Sequence, residues 1–210
     1  MFQQIQEYLA QNLGSYLESL WQHLELSFSA LFIAMLIGLP LGYLGYQHKG
    51  AGILTRGLTQ ALRVIPSLGI LFLFIPFIGV GKVPALIALV ILAVPPILIN
   101  TILGFSEVSE GLLETGLGLG MNEGQLFARV SFPLALPHIL NGMKLALIEV
   151  IASATLATYI GAGGLGSLIF TGLGLYRIDL LVIGGGSVAL LSFISMLGFD
   201  MFIRSQQYEK

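Results

Sequence analysis

Five runs of about twenty mostly apolar residues constrain this chain more than any other feature. A helix needs about 20 such residues to cross the roughly 30 Å hydrocarbon core of a bilayer. The runs occupy residues 24–46, 58–78, 83–103, 139–160 and 180–203. They are continuous rather than alternating, which argues against a membrane β-barrel. Only 10% of the 210 residues are charged and the mean hydropathy is +0.92. A soluble domain carries about a quarter charged residues. The expected fold is an all-α membrane protein with about five transmembrane helices. Gly38, Pro40, Pro66, Pro76, Pro95 and Pro96 fall inside the runs. They would break soluble helices, but in a membrane neighbouring helices and bound water satisfy the freed backbone groups. Small-residue clusters such as IASATLAT and VIGGGS suit close helix contact.

Lysine and arginine set the orientation. With the N-terminus outside, the inner side receives Lys49, Arg56, Arg63, Arg129, Lys144, Arg204 and Lys210, and the outer side only Lys82 and Arg177. The positive-inside rule therefore places the N-terminus outside and the C-terminus inside. Residues 1–23 lack the basic start of a cleavable signal peptide. They place Ile5, Leu9, Leu13, Tyr16, Leu17, Leu20 and Trp21 on one side of a helix, as in an amphipathic helix lying on membrane lipid; a solvated leader is the plainer alternative. Residues 24–210 then form one transmembrane domain.

Several chemistries are excluded or weak. A net charge of −2 does not fit a nucleic-acid binder, which needs clustered basic surface. Cysteine is absent, so disulfides and thiolate metal sites are excluded. No Gly-Lys-Ser/Thr phosphate cradle occurs, so any ATP must be bound by another polypeptide. Gly161, Gly163 and Gly166 spell G-x-G-x-x-G with Asp179 downstream. They follow a membrane run rather than a strand, and fit a re-entrant turn better than a dinucleotide site. His23, His48 and His138 lie near run ends and are expected at the interface, with no metal pair among them. The apolar centres of the runs offer no His or Lys near a serine, so an intramembrane protease is a weak reading.

Between the third and fourth runs lies the one sizeable polar excursion, residues 104–137. It reads as helix, glycine hinge, helix. Ser106 or Ser109 caps the first helix, which presents Val108, Leu112 and Leu113. Gly116, Gly118 and Gly120 permit a bend. Asn122 and Gln125 form a capping box for a second helix carrying Leu126, Phe127 and Val130, and Pro133 is expected to stop it. Such a hairpin would offer an apolar ridge to a docked partner.

Within it, Glu114-Thr115-Gly116 is followed after three residues by Gly120, and after nine more by Val130, Ser131, Phe132 and Pro133. This spacing resembles the signature of ABC importer permease subunits: Glu-Ala-Ala, three residues, Gly, nine residues, Ile, one residue, Leu-Pro. Thr115 and Gly116 replace the alanines; Val130 and Phe132 are conservative swaps. The resemblance runs from about Leu24 to the end of the chain and implies a type I, methionine-permease-like core in the bacterial cytoplasmic (inner) membrane. The segments from Arg63 to Gly104 and from Ala152 to Leu173 are similar to the osmoprotectant branch, which imports glycine betaine, carnitine, choline or related betaines; Pro66 and Ser67 tilt the choice that way.

The resemblance further implies a transport subunit rather than an enzyme. This chain would bind no cofactor, with ATP and Mg held by a cytoplasmic ATPase dimer that grips the coupling loop. A second permease copy or homologue and an extracytoplasmic substrate-binding protein would complete the system. Glu149 lies near the middle of the fourth run, where a charge costs about 2.5 kcal/mol or more. It is expected either to line a pore or to make a helix contact, for instance to Asn100. Asp200 and Arg204 are expected to pair along the fifth run. A methionine or other amino-acid permease is the alternative of the same architecture, and an ATP-independent channel or secondary transporter the alternative of another class.

Overall fold

A computed structural model of the chain describes residues 2–48, 57 and 66–208. Helix α1 spans Phe2–Gln47. Two short helices, α2 (Ser67–Leu73) and α3 (Ile75–Ile78), precede α4 (Lys82–Ser106). The polar excursion holds α5 (Glu110–Gly118), α6 (Glu123–Leu126) and a π-helical turn, Phe127–Ser131, that runs into α7 (Phe132–Ala154). A 3₁₀ turn (Leu156–Ile160), α8 (Gly166–Gly174) and α9 (Ile178–Tyr208) complete the order. Among the described residues four helical stretches are long and apolar enough to cross a membrane, and Ser67–Ile78 is a shorter apolar one. Residues 58–65 of the second expected run lie outside the described residues, as do Lys49, Arg56, Arg63 and Lys210.

The leader and the first run form one helix, interrupted only at Asn12, whose φ of −124° and ψ of 24° are non-helical. Its apolar stripe divides. Ile5, Leu9, Tyr16 and Leu20 pack against Leu165, Leu168, Leu180 and Ile183 of the bundle, and the Tyr16 hydroxyl lies 2.8 Å from Ser187 Oγ. Leu13, Leu17 and Trp21 stay exposed.

Helix α4 sits centrally, packed on α1 and on α7, while α9 covers α7 and α8. The contact layers are built of Ala30, Ala34, Ala85, Ala88, Ala93, Ala146 and Ala154, all fully buried. Small residues of this kind let helix backbones approach closely, which is how helices associate where lipid offers no hydrophobic contrast. Helix α8 has nine residues, about 14 Å of rise, too short to cross a bilayer.

Two expectations are corrected here. Pro133 does not stop a helix: it lies in the first turn of α7, where its missing N–H is tolerated, and the π turn before it carries the chain through without a break. Asp200 pairs not with Arg204 but across helices with Lys144, at 2.7 Å. His23 is wholly buried within the protein, because the loop after α7 folds back over it.

Candidate coupling site

The polar excursion is a hairpin fixed at each joint by its own side chains. Ser109 Oγ accepts from the Leu112 N–H at 3.4 Å and starts α5. The helix closes with two bonds, Gly120 N–H to Leu117 O at 2.9 Å and Met121 N–H to Gly116 O at 3.1 Å. This closing pair places the residue after the helix in the left-handed region. Gly120 occupies that position with φ of +82°, where a side chain would be strained. Asn122 Oδ1 then accepts from the Gln125 N–H at 2.9 Å, and Gln125 Oε1 from the Asn122 N–H at 3.0 Å, completing the expected capping box.

Gly116 explains one departure from the alanine pattern. A Cβ there would lie 2.5 Å from Leu126 Cδ1, so the second arm packs directly on the first. Thr115 is exposed and bonds back to the Gly111 carbonyl at 2.6 Å. Glu114 is exposed, like Glu110 and Glu123. The outward apolar ridge consists of Leu112, Leu117 and Leu119, which is 75% exposed. Leu126, Phe127 and Val130, expected on that ridge, are instead half-buried, and Val108 is buried.

Phe127 faces the bundle. Its ring lies 5.2 Å from Tyr43 and is stacked 5.8 Å from Phe105, with Phe132 at 5.9 Å. Tyr43 and Phe105 meet edge to face at 4.9 Å, and Tyr46 stacks on Phe105 at 5.6 Å. Offset and edge-to-face rings at these distances attract beyond their buried area. Five rings from α1, α4, the π turn and α7 thus tie the hairpin to α1 and α4. Tyr43, Tyr46 and Phe105 escaped the sequence reading. The available signal was aromatic residues at or just past the C-terminal ends of the first and third runs. Val130 and Pro133 lie beside this cluster in sequence, in the π turn and at the start of α7.

The remaining candidates lie elsewhere. Asn100 donates to the Pro96 carbonyl at 2.8 Å and accepts from Asn141 Nδ2 at 3.3 Å, joining α4 to α7. Glu149 is half-buried further along α7. Pro66 precedes α2, and Ser67 is its first residue. Beside the hairpin, His138 Nε2 meets Glu107 at 2.8 Å. A polar cavity of about 400 Å³, lined by His138, Asn141, Lys144, Asp200 and Arg204 among others, opens there.

Comparison with known proteins returns a family, close relatives and a shared fold. The family model described as "binding-protein-dependent transport system inner membrane component" matches residues 34–207. The chain is 44% identical to the carnitine transport permease protein of Listeria monocytogenes, over 83% of this chain and 80% of that protein. It is 41% identical to the choline transport system permease protein of Bacillus subtilis, over 90% and 88% respectively. A solved structure of the MetNI methionine ABC transporter in inward-facing conformations superimposes with a TM-score of 0.80 at 23% identity, covering 91% of this chain and 95% of that one. At that identity the likeness speaks for the fold alone.

Proposed function

Because the chain belongs to the family of binding-protein-dependent transport system inner membrane components, we propose that it carries a betaine, carnitine or choline across the membrane, driven by ATP hydrolysed elsewhere. It is a multi-pass permease of an ABC importer; hydrolysis belongs to a separate subunit in this family. The relatives that carry carnitine and choline support the solute class. A permanently charged ammonium group needs no hydrogen-bond donor to be held, only aromatic faces or a counter-charge, and Glu149 on α7 is the candidate counter-charge.

The hairpin carries the mechanistic part of this reading. Its ridge of Leu112, Leu117 and Leu119, flanked by Glu110 and Glu114, docks in a groove of the cytoplasmic ATPase, with Gly120 setting the bend. Two ATPases binding ATP draw two hairpins together, one on this chain and one on a second copy or homologue. The Phe127 cluster passes that movement to α1 and α4, shifting the population from inward- to outward-facing. ATP and Mg stay on the ATPase dimer. The N-terminus is outside and the C-terminus inside. Leu13, Leu17 and Trp21 on the leader helix rest in the outer lipid interface, near the docking face of the substrate-binding protein.

The test is uptake into proteoliposomes by the complex of permease, ATPase and binding protein. ATP-dependent uptake of labelled glycine betaine, carnitine or choline, competed by the others and not by methionine, is the expected result. Competition by methionine alone refutes the solute class. Uptake without the ATPase refutes the ATP-driven reading.

A further inference from the structure

His23 is a fully buried histidine outside the coupling site. Its Nε2 lies 3.0 Å from the Ile151 carbonyl. A carbonyl only accepts, so Nε2 carries a proton and donates it to this bond, while Nδ1 is buried with no hydrogen-bond partner among the described residues. The partner is not an ordinary helix carbonyl. Helix α7 gives way to the 3₁₀ turn at Thr155, and the Thr155 N–H, which an unbroken helix would give to Ile151, goes to Ala152 instead. The imidazole of α1 therefore caps a carbonyl in the last turn of α7, where no fourth residue on supplies an N–H.

The same turn of α1 holds the glycine loop that follows. Gln22 Oε1 accepts from the Gly164 N–H at 3.1 Å. Gly164 has φ of +90°, and a Cβ there would stand 3.2 Å from His23 Nδ1. Thr158 Oγ1 donates to the Gly163 carbonyl at 2.8 Å. The Gly81 N–H bonds to the Ile160 carbonyl, bringing in the start of α4. One turn of α1 thus secures the end of α7, the 3₁₀ turn and the glycine loop at the end of the bundle opposite the hairpin.

We infer that His23 is a positioning residue for the end of the bundle opposite the hairpin, which the orientation proposed above puts outside, holding the last turn of α7 and the glycine loop as one rim through its bond to the Ile151 carbonyl. The inference rests on the ATP-driven import reading above. When ATP draws the hairpins together, the rim moves as a unit with α1, so that the pore opens outward only when driven. Without the bond the rim relaxes independently, and hydrolysis proceeds with little transport. A buried carbonyl left unpaired biases a two-state element by roughly 5- to 150-fold.

The test compares wild type, His23→Leu and His23→Gln in the full complex with ATPase and binding protein, reading solute taken up per ATP hydrolysed. Leucine fills the space without a donor; glutamine places an N–H near the position of Nε2. The expected result is a ratio about tenfold lower for His23→Leu and restored for His23→Gln. An unchanged ratio in His23→Leu, including uptake and hydrolysis falling together, overturns the inference, as does failure of glutamine to restore it. Should His23→Leu not assemble, His23→Met, which also fills the space without a donor, decides on the same ratio: a fall supports the inference and no change overturns it. A wild-type complex lacking ATP-driven uptake refutes the functional reading itself, which separates that failure from this one.

Discussion

Truncating Phe127 to alanine tests whether the hairpin moves the bundle or merely hangs from it. The ring meets Tyr43, Phe105 and Phe132 at 5.2, 5.8 and 5.9 Å. Aromatic pairs of this geometry contribute about 0.5–1.5 kcal/mol each, so three give roughly 1.5–4.5 kcal/mol. Phe127 is only half-buried, and the lower half of that range, about 2 kcal/mol, is the working figure. It corresponds to about a 30-fold change in how firmly hairpin and bundle move together. The proposed docking ridge of Leu112, Leu117 and Leu119 is untouched, so on that proposal the ATPase binds and hydrolyses ATP as in the wild type. The expected outcome in proteoliposomes is uptake per ATP reduced at least tenfold, with Phe127→Leu intermediate because it keeps apolar volume and loses the ring. If Phe127→Ala transports at the wild-type ratio, the cluster is not the path of force. If the variant no longer binds the ATPase, Phe127 shapes the docking surface and the division between ridge and clamp is wrong.

Two further outcomes follow from single atoms. Gly120→Ala forces a side chain into φ of +82° at a cost of about 1–2 kcal/mol; hydrogen exchange should show the end of α5 opening faster, with co-purification of the ATPase weakened and membrane insertion unchanged. Glu149→Gln keeps the shape and removes the charge, and should lower uptake of choline more than uptake of carnitine, whose own carboxylate already balances its ammonium; identical uptake kinetics for both solutes would remove Glu149 from the pore.

The sequence carried the elements and not their partners. Apolar length announces a membrane helix because the bilayer is a uniform solvent, and the capping residues Ser109, Asn122 and Gln125 were legible because each bonds within three positions of itself. Gly120 was legible as a bend for the same local reason. Contacts between distant segments were not. Asp200 had Arg204 one turn away and took Lys144 on another helix. Nothing near His23 in sequence announced that the glycine loop some 140 positions on folds over it. Phe127 had the spacing of an exposed ridge, and only the approach of Tyr43 and Phe105 turns it inward.

The hairpin's dependence on those distant rings bears on how it can do work. Helix α5, of nine residues, falls short of the roughly 12–15 residues at which an isolated helix becomes even marginal in water, whereas α6 runs through the π turn into α7. Local caps contribute about 1 kcal/mol each and cannot alone hold such a hairpin under load. What remains is packing: Leu126 against Gly116 inside the hairpin, and Phe127 against α1 and α4 outside it. Its first arm is held by packing on the second, which is continuous with α7. On the docking proposed above, force applied at Leu117 and Leu119 reaches α7 through that continuous arm and reaches α1 and α4 through the rings. The rings carry their share only while the cluster's attraction exceeds the energy needed to slide the hairpin away from α1 and α4, and weakening Phe127 measures that share.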